Sequence, residues 1–221
     1  MKYPFLISIL LISIINANAE DYFYRLNPSP TKDMKLNKKN ARTCKNPAVA
    51  KENFDIDFHY GCFCGKKYPN IRHSSGKTYK HLNRKEREEL IAKYYKIKPY
   101  DDIDKLCMKH DICFIYEGRE DQLCNDAIYN GLRNLEKNFE QQSQNKKSKR
   151  CQRLAIDISS VFGTIFGIGD NISPIKFALF VVVTTPITIV SKGIQKSSRM
   201  LNSDSTYPLA NEKCNTKPLA F

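Results

Sequence analysis

Residues 104–114 of this 221-residue chain read DKLCMKHDICF, and this stretch decides the expected fold and chemistry. On an α-helix, Cys107, His110, Asp111 and Phe114 fall at positions i, i+3, i+4 and i+7 and share one face. His110 and Asp111 diverge by about 100° around the helix axis, so they can border one cleft without pairing with each other. A histidine in such a cleft can activate water, while the neighbouring carboxylate holds a hard cation.

A second stretch, YGCFCG at residues 60–65, places two cysteines beside flanking glycines. Disulfides at both cysteines would pin this loop at two points. Such a loop can present backbone carbonyl groups to calcium, which prefers oxygen ligands. The two stretches together predict a His-Asp site beside a carbonyl-lined loop.

The two stretches, taken in this order along the chain, resemble secreted phospholipase A2. The calcium loop of that family carries Tyr-Gly-Cys-Tyr-Cys-Gly, which residues 60–65 match with Phe63 as the departure. Its active-site helix carries Asp-x-Cys-Cys-x-x-His-Asp-x-Cys-Tyr, which residues 104–114 match with Leu106 and Phe114 as departures. The resemblance implies an all-α fold: a small, disulfide-stapled helical domain, here without the family's β-wing and with a C-terminal apolar helical extension.

The resemblance also assigns roles to single residues. His110 becomes the general base, and the amide of Gly65 helps to stabilise the oxyanion. Calcium, Ca2+, is the implied cofactor, held by the Asp111 carboxylate and by the carbonyl groups of Phe63 and Gly65. A third carbonyl ligand, Lys67, is assigned by position alone, because the family's Gly-rich continuation of the loop is missing here.

The position that supports the histidine departs from the family, which carries an aspartate after the cysteine matching Cys124. Asn125 stands there, and Asp126 follows it but points about 100° away on the predicted helix. An amide can accept a hydrogen bond from imidazole, but it cannot stabilise the imidazolium by charge. We therefore assign the supporting role to Asn125. Phe114 lacks the hydroxyl that braces the family's aspartate, so a simplified network and a modest rate are expected.

The eight cysteines all follow an apparent export signal, which predicts four disulfides, with thiolate metal ligation as the competing interpretation. Leu106 removes one family cysteine, and its usual partner would lie at about Gly131, so both halves of one bridge are missing together. By resemblance, the expected bridges are Cys64–Cys107, Cys113–Cys124, Cys62 to either Cys151 or Cys214, and Cys44 to the cysteine that remains.

The chain begins with Lys2, an apolar run and a small-residue motif that ends at Ala19, the pattern of a cleaved signal peptide. A membrane anchor is the alternative, but the apolar run is short for a span. The expected organisation is a signal peptide at 1–19, a basic leader or linker at 20–43, a catalytic domain at 44–150 with a helical insertion at about 66–98, and an apolar extension and tail at 151–221.

Several local patterns predict particular elements. Asn83 and Glu86 form a capping box ahead of a basic helix that Pro99 closes. Further helices are expected from Asp101 or Asp102 to about Glu117 and from about Gln122 to Gln141. Residues 142–153 indicate a linker or a fraying helix end. The apolar segment at 154–194, densest at 177–190, favours a buried or interfacial helix pair broken near Gly169–Pro174, with a membrane hairpin as the alternative.

The net charge of +13, from 36 basic and 23 acidic residues, favours an anionic partner. Export makes that partner an anionic phospholipid membrane surface and no nucleic acid; a role in solubility alone is the plain alternative. The expected function is calcium-dependent hydrolysis of the sn-2 ester of glycerophospholipids by a secreted enzyme, extracellular or periplasmic. The rival is a non-catalytic phospholipase-like protein that binds or disrupts membranes, and a structural protein on the same scaffold is a weaker third.

Overall fold

The computed structural model describes residues 31–50, 58–65, 69–142, 145–163 and 207–216. Within these ranges the chain is mostly helical, and its strands are two residues long. The helices are α1 (Lys32–Lys39), α2 (Arg84–Tyr94), α3 (Asp102–Glu117), α4 (Gln122–Gln142) and α5 (Lys146–Val161). The strands are β1 (Arg42–Thr43), β2 (His59–Tyr60), β3 (Cys64–Gly65) and β4 (Ile97–Lys98), with a 3-10 turn at Tyr79–His81.

The helices surround one apolar core, in which α3 lies between α2 and α4, and α5 packs along α4. Burial of each large aliphatic side chain stabilises such a core by about 1.5–3 kcal/mol. Four disulfides cross-link the helices and loops. A disulfide-stapled helical domain, as the sequence predicted, is therefore confirmed. Fully buried core residues include Ile103, Ile112, Ile128, Leu132 and Leu154.

Several helix ends follow the local signals in the sequence, although α2 ends at Tyr94 and not at Pro99, because the strand β4 lies between them. Asn83 and Glu86 form the predicted capping box, with Glu86 N donating to Asn83 Oδ1 over 2.9 Å and Asn83 N donating to Glu86 Oε2 over 2.8 Å. The helix α3 begins after its cap, Asp101, and ends at Gly118, whose φ of 70° is left-handed. A glycine adopts this conformation without strain, so it terminates the helix at the predicted position.

Two of the four disulfides are those that the resemblance implied. Cys64 pairs with Cys107, and Cys113 pairs with Cys124. The expectation that Cys62 pairs with a late cysteine is wrong. The bridges found instead are Cys44–Cys62 and Cys151–Cys214.

Backbone pairing explains the partner of Cys62. Ala48 N donates to Gly61 O over 2.8 Å, and Gly61 N donates to Ala48 O over 2.9 Å. This pairing holds the segment after Cys44 alongside the loop that contains Cys62, so these two cysteines meet. Contacts between segments distant in sequence determined the outcome, and cysteine spacing does not report such contacts.

The expected basic leader contains a helix, α1, that is attached to the domain. Met34 on α1 is buried, and Asn37 Nδ2 donates to Ala92 O on α2 over 2.8 Å. The strand β1 then pairs in parallel with β4, in the register Arg42↔Ile97 and Thr43↔Lys98. At least residues 32–43 are therefore part of the folded domain, and their interpretation as a leader or linker is corrected.

The interpretation of residues 142–153 as a linker or frayed end is also wrong, because α5 begins at Lys146 behind its cap, Asn145. Its buried residues include Cys151, Leu154, Ala155 and Ile158, which form a stripe at helical spacing. The helix runs through residue 150, where the sequence suggested a boundary. No described helix is long and apolar enough to span a membrane. The predicted signal peptide, the apolar run at 177–190 and Lys67 lie outside the described residues.

Residues 207–216 lie across the N-terminus of α3 and along α5. Cys214 N donates to Asp101 Oδ2 over 2.8 Å, and Thr216 N donates to Asp102 Oδ2 over 2.7 Å. The Arg150 guanidinium pairs with the Glu212 carboxylate and lowers the pKa of that carboxyl. Together with the Cys151–Cys214 bridge, these contacts join the start of α3 to α5.

Candidate functional site

The centre of the site is a hydrogen bond between α3 and α4. His110 Nε2 lies 2.9 Å from Asn125 Oδ1, and both side chains are buried. An amide oxygen only accepts, so this orientation places a proton on Nε2, and in the neutral imidazole the lone pair of Nδ1 is then free to accept a proton. The pairing that the resemblance implied is present. Asp126 instead accepts from Gln122 Nε2 on the exposed side of α4.

Two aromatic rings enclose the imidazole. The Phe114 ring centroid lies 4.2 Å from that of His110, and the Phe162 ring makes an edge contact at 5.0 Å. Phe162 follows α5 and lies beyond the part of the chain that resembles phospholipase A2, so motif reasoning did not find it. Its only signal was the start of an apolar segment. Rings in these positions restrict the access of water to the histidine.

The Asp111 carboxylate lies on the other side of the imidazole. Its Oδ1 is 3.9 Å from His110 Nδ1, and 27% of its side chain is exposed. Burial raises the pKa of Asp111 to about 6, and His110 opposes the shift. The Asp111 carboxylate also acts on two nearby tyrosines. Burial raises the pKa of Tyr94 and of Tyr79, and the negative charge of Asp111 raises both further. Both tyrosines belong to the predicted insertion, and sequence reasoning missed them.

The loop at residues 60–65 is fixed to α3 one helical turn before Asp111. The disulfide Cys64–Cys107 has a Cα–Cα distance of 5.1 Å, and Cys107 precedes Asp111 by four residues. Phe63, within this loop, is 1% exposed, and its ring stacks on that of Tyr94 at 5.9 Å. The loop that carries two of the predicted carbonyl ligands, those of Phe63 and Gly65, is therefore tethered beside the His-Asp pair.

A buried carboxylate, Asp104, shapes this loop from inside. Its oxygens accept from Cys62 N over 3.0 Å and from Phe63 N over 2.7 Å. Gly61 has a φ of +62°, and a Cβ at this position would overlap the Asp104 carboxylate, so only glycine fits. Burial raises the pKa of Asp104. The hydrogen bonds that its carboxylate accepts from backbone N–H groups, including that of Cys64, oppose this shift. The sequence contained Asp104 in the matched motif without revealing this role.

A second carboxylate, Asp101, organises the start of α3. It accepts from Asp104 N over 3.0 Å, from Cys214 N over 2.8 Å and from the Tyr60 hydroxyl. Burial raises its pKa to about 6, against the effect of these hydrogen bonds. Asp101 therefore connects the helix α3, the loop at residues 60–65 and the C-terminal tail. From the sequence, Asp101 was expected only to begin a helix.

The donor chemistry of this region suits a hard cation. Among the described residues, no group of three His, Cys, Asp or Glu side chains is arranged to hold a metal ion. A cation beside Asp111 would therefore depend on backbone carbonyl oxygens in addition to the carboxylate, an all-oxygen set. The burial of Asp111 disfavours its charged form, and a bound cation would offset that penalty.

Comparison with protein-family models, curated proteins and solved structures finds no match to this chain. The resemblance to phospholipase A2 therefore rests on the sequence motifs alone. One contact bears on it directly: a Cβ built on Gly131 would lie 2.9 Å from Leu106 Cδ2. The two positions at which the family carries a cystine thus face each other across α3 and α4, with a leucine filling the space above a glycine.

Proposed function

We propose that this protein is a calcium-dependent phospholipase A2, which hydrolyses the sn-2 ester of glycerophospholipids to a lysophospholipid and a free fatty acid. The observation that carries the proposal is the buried pair of His110 and Asn125. It leaves Nδ1 of the imidazole unprotonated on the side of Asp111, next to a loop tethered at Cys107. A base, a carboxylate and a carbonyl-bearing loop then share one site.

The histidine acts through Nδ1. It removes a proton from a water molecule, and that water attacks the ester carbonyl carbon. The bond between the acyl carbon and the sn-2 oxygen then breaks, and the imidazolium returns its proton to that oxygen as the lysophospholipid leaves. The Asn125 carbonyl keeps the other proton on Nε2, so the ring presents the correct nitrogen. Because Asn125 carries no charge, it stabilises the resulting imidazolium less than an aspartate would, which favours a modest rate.

Calcium is the cofactor that this proposal requires. The residues that would hold it are Asp111 through its carboxylate and Phe63 and Gly65 through their carbonyl groups, with Lys67 assigned by position. When bound, calcium supplies Lewis-acid polarisation of the ester carbonyl and a contact for the phosphate. The Gly65 amide would donate to the oxyanion that develops in the transition state.

Three features support the resemblance on which the proposal rests. The bridges Cys64–Cys107 and Cys113–Cys124 are the two that the family's pattern implies. Leu106 and Gly131 face each other where a third family bridge would be. The disulfides are also typical of extracellular proteins, in agreement with the proposed secretion.

The test is release of fatty acid from mixed phosphatidylcholine and phosphatidylglycerol vesicles, with calcium and with a chelator. We expect release only with calcium, and we expect His110→Gln to abolish it while vesicle binding persists. Asp111→Lys should abolish calcium binding in a calorimetric titration. Unchanged activity of His110→Gln would rule out the proposed base. Vesicle binding or leakage without any release by the wild type would favour the non-catalytic alternative.

A further inference from the structure

A cationic surface covers α1, β1 and β4, on the part of the chain that the sequence suggested was a linker. Along residues 31–50 and 95–99, eight basic side chains are exposed, and Asp33 is the one acidic residue. The pairing of β1 with β4 joins the two segments, since Arg42 N donates to Lys96 O over 2.9 Å. The cationic surface consists of Lys32, Lys35, Lys38, Lys39, Arg42, Lys45, Lys96 and Lys98.

These eight cations differ from most arginines of the helices. Within the described part of the chain, none of the eight forms an ion pair with a carboxylate. By contrast, Arg84, Arg133 and Arg153 each pair with an acidic side chain one helical turn away. An accumulation of unpaired positive charge raises the local potential and attracts anionic partners.

An exposed leucine indicates which anionic partner fits this surface. Leu36 is 54% exposed, although Met34 on the same helix is buried. Lys32 and Lys39 lie four residues before and three residues after Leu36, so they flank it on one face of α1. A membrane interface accepts both the leucine and the lysines, whereas a sugar-phosphate backbone offers the leucine no apolar phase.

We propose that the cationic surface, with Leu36 at its centre, docks this protein on anionic phospholipid membranes without the help of calcium. The inference rests on the proposed function only in its choice of a membrane as the site of action. Docking of this kind would deliver the protein to its substrate whether or not a cation occupies the site at Asp111.

Co-sedimentation with vesicles tests the docking surface. The chain contains no tryptophan, so intrinsic tryptophan fluorescence cannot report binding. The measurements use the His110→Gln variant in the presence of a chelator, so that neither hydrolysis nor calcium bridging contributes. We expect binding to vesicles that contain phosphatidylglycerol and little binding to phosphatidylcholine alone. Equal binding to both vesicles would overturn the proposal.

Charge-matched variants separate this surface from net charge. Lys35→Gln with Lys39→Gln should weaken binding about 20-fold to 30-fold, because each lysine near an anionic surface contributes about fivefold. Lys137→Gln with Lys149→Gln, at exposed positions of α4 and α5, removes the same charge away from the cationic surface. This control should weaken binding about twofold at most, because the attraction to the membrane falls off within a Debye length. Equal losses in the two double variants would overturn the proposal.

A second pair of variants tests the apolar centre. Leu36→Ser should weaken vesicle binding about fivefold, whereas Leu209→Ser, which removes another exposed leucine, should have little effect. Competition by duplex DNA at equal phosphate concentration is the remaining control, and displacement from vesicles by DNA would favour a nucleic-acid partner instead. Failure of hydrolysis by the wild type on vesicles that it binds would contradict the proposed enzyme and leave the docking surface intact.

Discussion

At the scale of single residues, the site depends on which partner each side chain meets. Asn125 accepts from His110 through a neutral amide, and among the described basic side chains only His110 lies within ion-pair distance of the Asp111 carboxylate. The first arrangement holds a proton on Nε2 without adding charge, and the second leaves a carboxylate 3.9 Å from Nδ1. The balance between these two partners determines how the imidazole is oriented and which of its nitrogens carries the proton.

Substitution of Asn125 tests this balance. Asn125→Asp should raise the turnover number severalfold, because a carboxylate stabilises the imidazolium that forms when the histidine accepts a proton from water. Asn125→Ala should lower turnover about 10-fold to 100-fold through loss of tautomer control. Fatty-acid release measured from pH 5 to 9 checks both, with Asn134→Ala on the exposed face of α4 as the control. A wild-type rate in Asn125→Ala would exclude the supporting role.

At the scale of elements, the start of α3 is held by a carboxyl whose pKa is raised to about 6 from a usual value of 3.8. The folded state therefore binds a proton at Asp101 more tightly than the unfolded state does. The stabilisation from this protonation is fully present below pH 3.8 and is lost as the pH rises through 6, in total about 3 kcal/mol.

Urea unfolding between pH 4 and 7 measures this contribution. The free energy of unfolding of the wild type, relative to that of Asp101→Asn, should increase by about 2–3 kcal/mol as the pH falls through this range. Asp126→Asn, on the exposed side of α4, should run parallel to the wild type. Parallel curves for the wild type and Asp101→Asn would show that the Asp101 carboxyl does not titrate in this range.

The facing pair Leu106 and Gly131 makes the alignment with phospholipase A2 testable. The double variant Leu106→Cys with Gly131→Cys should form a fifth disulfide during oxidative folding, seen as a mass loss of about two hydrogens. The bridge should stabilise by about 2–4 kcal/mol, and loss of the buried leucine offsets much of that gain. Leu106→Cys with Asn130→Cys, shifted by one residue, is the control. Free thiols in the first variant would place the two positions farther apart than the alignment requires.

The elements that sequence reasoning predicted well are those with local signals. Each of these signals lies within one short segment: the capping box of Asn83 and Glu86, Gly118 at the end of α3, and the apolar stripe of α4. The helix α1 was missed because its attachment depends on Met34 and on a bond from Asn37 to a residue 55 positions away. The start of α5 was placed too late, in the apolar segment that begins at residue 154, because the first turn of this helix is polar and its apolar stripe begins only at Cys151.

The candidate site shows the same division between local and distant information. His110, Asp111 and the loop at 60–65 were recognised because their spacing matches a family pattern. Phe162 and Tyr94 reach the site from elements with no counterpart in that pattern, so their positions depended on the fold of the whole chain. A motif thus pointed to the candidate His-Asp pair and its loop, while the residues that enclose them followed only from the tertiary structure.

At the scale of the whole molecule, two long-range bridges hold the ends of the described chain to its centre. Cys44–Cys62 closes a loop with a sequence separation of 18, and Cys151–Cys214 closes one of 63. On chain entropy alone, the second bridge stabilises more, about 4 kcal/mol against about 3 kcal/mol. The second bridge also positions Cys214, whose N–H donates to Asp101, the cap of α3.

Removal of the two bridges in separate variants should therefore have unequal effects. Cys151→Ala with Cys214→Ala should lower the free energy of unfolding by about 4 kcal/mol or more, because the hydrogen bonds to Asp101 and Asp102 weaken along with the entropic constraint. Cys44→Ala with Cys62→Ala should lower it by about 3 kcal/mol. Urea unfolding gives both values, and trypsin cleavage at Lys213 under native conditions reports release of the tail. Two results would contradict this expectation: a larger loss of stability on removal of Cys44–Cys62, or continued protection of Lys213 in the variant without Cys151–Cys214. In either case the tail would not depend on the Cys151–Cys214 bridge. The start of α3 would then be stabilised by Asp101 and its neighbours alone.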